Sequence, residues 1–167
     1  AFQHMENYNR SFESKFIVNN KTSKFKAGEK LHELGACNNC HFYGEIKPIQ
    51  EPRTWAANLA MTKDRLRPEW VIDWLKDPQT IMPGTKMPAP FLPTSDLLVI
   101  DGATDIWGKN LVEINGDVDL MLEGLRDYIY SIQGKQNISN LVKDYFKTNG
   151  YNFDVEEEDE DDWDDDW

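Results

Sequence analysis

Three stretches of the chain place apolar residues at the spacing of an amphipathic helix, so that they fall on one face at every third or fourth position. The stretches lie around residues 23–34, 68–76 and 117–132. We therefore predict three main helices. Their apolar positions are Ala27, Leu31 and Leu34 in the first, Trp70, Val71, Trp74 and Leu75 in the second, and Met121, Leu125, Tyr128 and Ile132 in the third.

Local signals mark the ends of these helices. Thr22 or Ser23 is the expected N-cap of the first, and Gly35 its end. The second opens at Pro68, a favourable first helical position, and stops at Asp77-Pro78. The third starts at Asp117 and ends before Gly134.

The remaining segments are not helical by this criterion. Residues 42–66 are expected to form a loop, and residues 78–93 carry five prolines, which excludes a helix or a central strand there. Residues 94–116 give mixed signals. We predict an all-α fold with long loops, divided into an N-terminal arm (1–22), a main domain (23–134), a short amphipathic helical extension (135–153) and an acidic tail (154–167).

The net charge of −12 comes mostly from one segment. Residues 156–167 hold ten acidic residues and no basic one, while the other 155 residues carry twenty acidic and eighteen basic side chains. No basic face is concentrated enough to favour nucleic acid as a partner. The tail favours basic protein partners, either as a disordered segment or as one that docks through its two tryptophans. No apolar run is long enough to cross a bilayer, so we expect membrane association to be indirect or through a removed anchor.

Cys37, Cys40 and His41 form a Cys-x-x-Cys-His motif, the attachment signature of c-type haem. Two thiols on a tight turn can each form a thioether with one haem vinyl group, and the next side chain then lies beneath the iron as its imidazole ligand. The motif predicts one covalently attached haem c.

A cysteine pair of this spacing has two other common uses, a zinc site and a thioredoxin-type redox centre. A zinc site would need four ligands, and beyond this motif the chain offers only His4 and His32 as further histidines. A thioredoxin-type Cys-x-x-Cys requires an alternating strand and helix pattern that the sequence lacks.

A second motif lies in the proline-rich loop, where residues 82–88 read Met-Pro-Gly-Thr-Lys-Met-Pro. A thioether sulfur favours ferrous iron, so a methionine opposite the histidine raises the reduction potential and fills the last coordination position. Packing is the commoner use of methionine. We expect Met87, rather than Met82, to be the distal ligand. Both methionines precede a proline that restricts them to extended backbone, so the deciding feature is Gly84, which permits a turn before Met87.

With both motifs in this order, residues 23–134 resemble a class I cytochrome c. The resemblance implies a small helical fold wrapped around the haem, with the first and last helices crossing near Gly28 and Tyr128. Family members often carry Pro-Asn-Leu where this chain has Ala57-Asn58-Leu59. A backbone carbonyl there accepts a hydrogen bond from the proximal histidine, and Ala57 is expected to serve, with Pro48 and Pro52 as alternatives.

The resemblance also suggests further haem contacts. Leu59 is expected to bind the cofactor. Candidates to hold the propionates are Arg53, Arg65, Arg67 and Trp70, with Arg65 and Trp70 preferred. The alternative for each arginine is a solvated surface residue.

These expectations lead to two functions. The first is single-electron transfer with His41 and Met87 as axial ligands, as a shuttle or as the cytochrome subunit of a larger redox complex. The partners would be redox proteins that donate and accept electrons, and the location extracytoplasmic, most simply periplasmic. The alternative is a haem domain with an open distal site that acts as a small redox enzyme or ligand sensor; the sixth ligand discriminates between the two.

Overall fold

The computed structural model describes residues 16–134, 144–145 and 148–149. The chain divides into two compact units, Ala1–Lys135 and Gln136–Trp167. The predictions for the first 15 residues, for most of the amphipathic extension and for the acidic tail lie outside the described residues. Of the extension, the backbone at 144, 145 and 148 is helical.

The described chain is mainly helical, as predicted. Among its helices none combines the length and the apolar character required to cross a bilayer. The α-helices are α1 (Ser23–Leu34), α2 (Thr62–Arg65), α3 (Pro68–Lys76), α4 (Pro78–Ile81), α5 (Ser95–Leu98), α6 (Ala103–Trp107), α7 (Lys109–Ile114) and α8 (Val118–Ser131).

The three main helices lie where the apolar pattern predicts them. Thr22 caps α1 by accepting a hydrogen bond from the backbone N–H of Phe25, and Asp117 caps α8 in the same way. Pro68 is at the start of α3. Two predicted core positions are wrong: Leu34 is 40% exposed at the end of α1, and Trp70 is 37% exposed on α3.

Helices α1 and α8 cross at two glycines. A Cβ atom placed on Gly28 would lie 1.9 Å from the carbonyl oxygen of Gly124, so the two backbones are in direct contact. The predicted crossing near Gly28 and Tyr128 is confirmed, with the backbone contact itself at Gly28 and Gly124. Tyr128 lies one turn further along α8, where its ring packs against Phe25 and His32.

The core is built around this crossing. Helix α3 packs on α8 through Val71 and Leu75, both 3% exposed. The short helices α5 to α7 fill the segment whose pattern was mixed, and Leu98 and Leu111 enter the same core. The prediction that no helix forms in 78–93 is wrong for its first turn, because Pro78 occupies the first position of α4, where a missing N–H costs nothing.

The arm contacts α8 through Phe16. Its ring lies 4.4 Å from the guanidinium carbon of Arg126 and meets Tyr130 edge to face. Arg126 is buried and pairs with Asp127 at 2.7 Å, and Asp127 also faces Lys24 of α1 at 3.4 Å. This charged cluster ties the arm, α1 and α8 together.

A short parallel sheet was not predicted. Strand β1 (His41–Phe42) pairs with β2 (Ala56–Asn58), with an irregularity between the two residues of β1. The predicted loop 42–66 thus returns to the segment that follows the cysteines.

Candidate functional site

The Cys-x-x-Cys-His motif lies on a tight turn directly after α1. Ala36 adopts a left-handed conformation, with φ of 47°, and reverses the chain. Cys37–Asn39 then form a 3₁₀ turn in which the N–H of Cys40 donates to the carbonyl of Cys37 at 3.3 Å. The turn brings the two thiols to the same end of α1.

Both cysteines are half-buried and neither forms a disulfide. Burial raises the pKa of the Cys37 thiol, and the Sγ of Cys40 lies 3.6 Å from Oε1 of Gln50. The Cys37 thiol is therefore protonated near neutral pH, and neither sulfur is occupied by a disulfide.

The described residues bear on the two alternative uses of the cysteine pair. Within residues 16–134, 144–145 and 148–149, no three histidine, cysteine, aspartate or glutamate side chains come together as a metal site requires, and His4 lies outside these residues. The strands of that same part of the chain are two and three residues long, which does not match the thioredoxin pattern.

His41 is oriented by the neighbouring strand. Its Nδ1 lies 2.7 Å from the carbonyl oxygen of Ala57, so Nδ1 carries the proton and donates. Nε2 keeps its lone pair and is the ring atom that could bind a metal. Burial lowers the pKa of His41, and the hydrogen bond to Ala57 opposes that shift. The prediction that Ala57 is the acceptor is confirmed, and the alternatives Pro48 and Pro52 are wrong.

Asn58 fixes the loop around His41, a role that the sequence did not reveal. It is 7% exposed, accepts from the N–H of Gly44 at 3.0 Å and donates to the carbonyl of Gly44 at 3.0 Å. The same side-chain oxygen accepts from the N–H of Ala60. The only hint in the sequence was a polar residue between Ala57 and Leu59.

Leu59 is 9% exposed and belongs to the main core cluster. It begins the 3₁₀ turn Leu59–Met61, directly after β2. Its position next to the strand that supports His41 is compatible with the predicted cofactor contact.

Met87 is held at three points. Its sulfur accepts a hydrogen bond from Nε1 of Trp74 at 2.9 Å, and its N–H donates to Oγ1 of Thr85 at 3.3 Å. The side-chain amide of Gln79 donates to the carbonyl of Thr85 and lies 3.5 Å from that of Met87. Met87 is half-buried and packs against the core.

Met82 differs from Met87 in exposure. Its side chain is 57% exposed, and its carbonyl accepts from the N–H of Thr85 in a turn that Gly84 makes with φ of 86°. The predicted turn at Gly84 is confirmed. The structure does not give Met82 the anchored side chain that Met87 has.

The predicted propionate partners are all exposed. Arg65, at the end of α2, is exposed, and Arg53 pairs with Glu51 at 3.0 Å with 82% of its side chain exposed. Arg67 is also exposed. Trp70 stacks on Trp74 with ring centroids 5.2 Å apart.

His32 is a buried histidine at the crossing, 6% exposed. Its Nε2 is paired with the hydroxyl of Tyr43, and its ring lies 4.7 Å from that of Tyr128. Burial, with a smaller effect of His41, lowers the pKa of His32 to about 4, and burial raises the pKa of Tyr43. His32 thus serves the helix interface as a neutral ring.

We compared the chain with protein-family models, curated proteins and solved structures. None matches it.

Proposed function

We propose that this chain carries one covalently attached haem c and transfers single electrons. The observation that carries the proposal is the hydrogen bond from His41 Nδ1 to the Ala57 carbonyl, within a Cys-x-x-Cys-His turn whose two thiols are free. That bond presents Nε2 of His41 as a ligand, which is the arrangement typical of an iron-bound histidine.

The two free thiols fit a covalently attached haem. Cys37 and Cys40 would hold it through thioethers, each thiol adding across one vinyl double bond with its hydrogen going to the other vinyl carbon, and this addition would need no oxidant. When bound, the haem supplies a one-electron couple between ferric and ferrous iron. His41 would be the proximal ligand and Met87 the distal one.

The other site residues would shape the environment of this group. The Trp74 N–H bond to Met87 leaves the second sulfur lone pair for a metal. Leu59 would contribute an apolar wall. Arg65 is proposed to lie near the propionates, where an exposed guanidinium supplies charge without a desolvation penalty.

Electron transfer is preferred over an open-site enzyme or sensor because of how Met87 is held. A sulfur that is anchored by Trp74 and packed against the core favours a filled distal position. We propose redox proteins as donor and acceptor, either for a free shuttle or within a larger complex, and an extracytoplasmic location where such haems are attached.

Intact mass spectrometry of the native protein tests the attachment. The mass should exceed that of the polypeptide by one haem, and the colour should stay with the protein during acid-acetone extraction. Cys37→Ala and Cys40→Ala should each leave one thioether, and the double variant none. Colour that moves into the organic phase would refute covalent attachment.

A further inference from the structure

We infer that Trp70 is a positioning residue: its ring stacks on Trp74 and holds that indole where Nε1 reaches the sulfur of Met87. The inference rests on the proposed function, because the orientation of Met87 affects a redox centre only if the sulfur is an iron ligand. It also assigns Trp70 a role other than the propionate contact expected from the sequence.

The two tryptophans are neighbours on α3. They are four residues apart and therefore lie on the same side of the helix. Their rings are nearly parallel, with an interplanar angle of 13° and centroids 5.2 Å apart. Val71 and Leu75 bury the adjacent side of α3 in the core. Their packing fixes the rotation of the helix and therefore the positions of the backbone atoms that carry both indoles.

Trp74 needs such support. A thioether is a weak hydrogen-bond acceptor, so the 2.9 Å contact with Met87 does not by itself select one orientation of the indole. Offset stacking of aromatic rings stabilises their relative orientation beyond the effect of area burial. Trp70, which remains 37% exposed, supplies that second contact on the outer side of Trp74.

The N–H of Trp74 draws electron density from the sulfur of Met87. A sulfur with less density stabilises ferric iron less, so the hydrogen bond raises the reduction potential. Removing the bond lowers the potential. If Trp70 acts only through Trp74, removing Trp70 lowers the potential as long as Trp74 is present. Removing Trp70 from a protein that already lacks Trp74 leaves the potential unchanged.

A double-mutant cycle on the intact haem-bearing protein tests this coupling. The variants are Trp70→Ala, Trp74→Phe and their combination, and the readout is the midpoint potential from spectroelectrochemical titration. Both single variants should lower the potential, and the double variant should match Trp74→Phe alone. Trp70→Phe, which keeps an aromatic face, should recover part of the loss.

Trp107→Ala is the matched control. Trp107 is also a half-buried tryptophan with a bonded Nε1, which donates to the carbonyl of Leu97. It lies on α6 and stacks on Phe91, four residues beyond Met87, so it tests whether loss of any tryptophan beside the proline-rich loop shifts the potential. Its loss should leave the potential unchanged. Trp70→Leu replaces Trp70→Ala if the alanine variant does not fold.

Additive shifts in the double variant would overturn the inference and indicate a direct contact of Trp70 with the haem. An unshifted potential in Trp70→Ala would overturn it as well. Circular dichroism gives a readout that does not depend on haem: the stacked indoles should produce an exciton signal that both single variants lose, and its absence from the wild type contradicts the stack. If the native protein lacks covalent haem, the proposed function fails, whatever the dichroism shows.

Discussion

Replacing Gly28 by alanine should separate the two helices that define the fold. The new Cβ would lie 1.9 Å from the carbonyl oxygen, 2.0 Å from the carbonyl carbon of Gly124 and 2.5 Å from the backbone nitrogen of Leu125. All three are backbone atoms in the middle of α8. They cannot rotate away as a side chain would, so the helices must move apart.

The cost follows from that movement. To restore ordinary contact the helices must separate by about 1 Å or more, and a gap of that size removes roughly a quarter to a half of the dispersion energy of each facing atom pair. Overpacked cores lose about 1–3 kcal/mol, and rigid backbone neighbours place this site at the upper end. Alanine is about 1 kcal/mol more favourable than glycine inside a helix, which offsets part of this loss. The expected net destabilisation is about 2 kcal/mol.

Urea unfolding of the full chain, followed by circular dichroism, measures this loss. Gly35→Ala is the matched control on the same helix: its φ is −72°, which alanine adopts freely, and its nearest neighbour lies at 3.1 Å. The control should lose less than about 1 kcal/mol. Equal losses in both variants would refute the argument that backbone contact at Gly28 sets the distance between α1 and α8.

Three further predictions concern the site. Met87→Ala should abolish the sulfur-to-iron absorption band, lower the potential and admit carbon monoxide, while Met82→Ala, at a position 57% exposed, should do none of these; the opposite pattern would exchange the two roles. Asn58→Leu should cost about 3 kcal/mol in urea unfolding, because it leaves the N–H and C=O of Gly44 buried without partners. The free energy of unfolding should fall as the pH drops from 6.5 towards 4, because His32 binds a proton in the unfolded chain but stays neutral in the folded one, where its pKa is about 4. His32→Phe should reduce this loss by on the order of 3 kcal/mol. An unchanged pH profile in the variant would show that His32 is not its source.

The positions of the main helices were predictable because their determinants are local. An apolar repeat of three to four residues, a capping Thr22 or Asp117 and a proline at the first position of α3 act within one or two turns. The same holds for the turn at Gly84. Such features need no knowledge of the rest of the chain.

The chemistry of the motif is also contained in the sequence. Cys37, Cys40 and His41 lie within five residues, and that spacing alone predicts two thiols and an imidazole on one turn. The preference for Met87 over Met82 likewise came from neighbouring residues.

Only the tertiary structure decided which distant groups meet. It selected the carbonyl of Ala57 over Pro48 and Pro52, placed Gly124 opposite Gly28, and brought Trp74 to the sulfur of Met87. These contacts join residues up to 96 positions apart, where the chain has too many possible pairings for a local pattern to select one. These contacts depend on how α1, α3 and α8 bury their apolar faces together. Because α3 buries the side that carries Val71 and Leu75, Trp70 stays partly exposed at the surface.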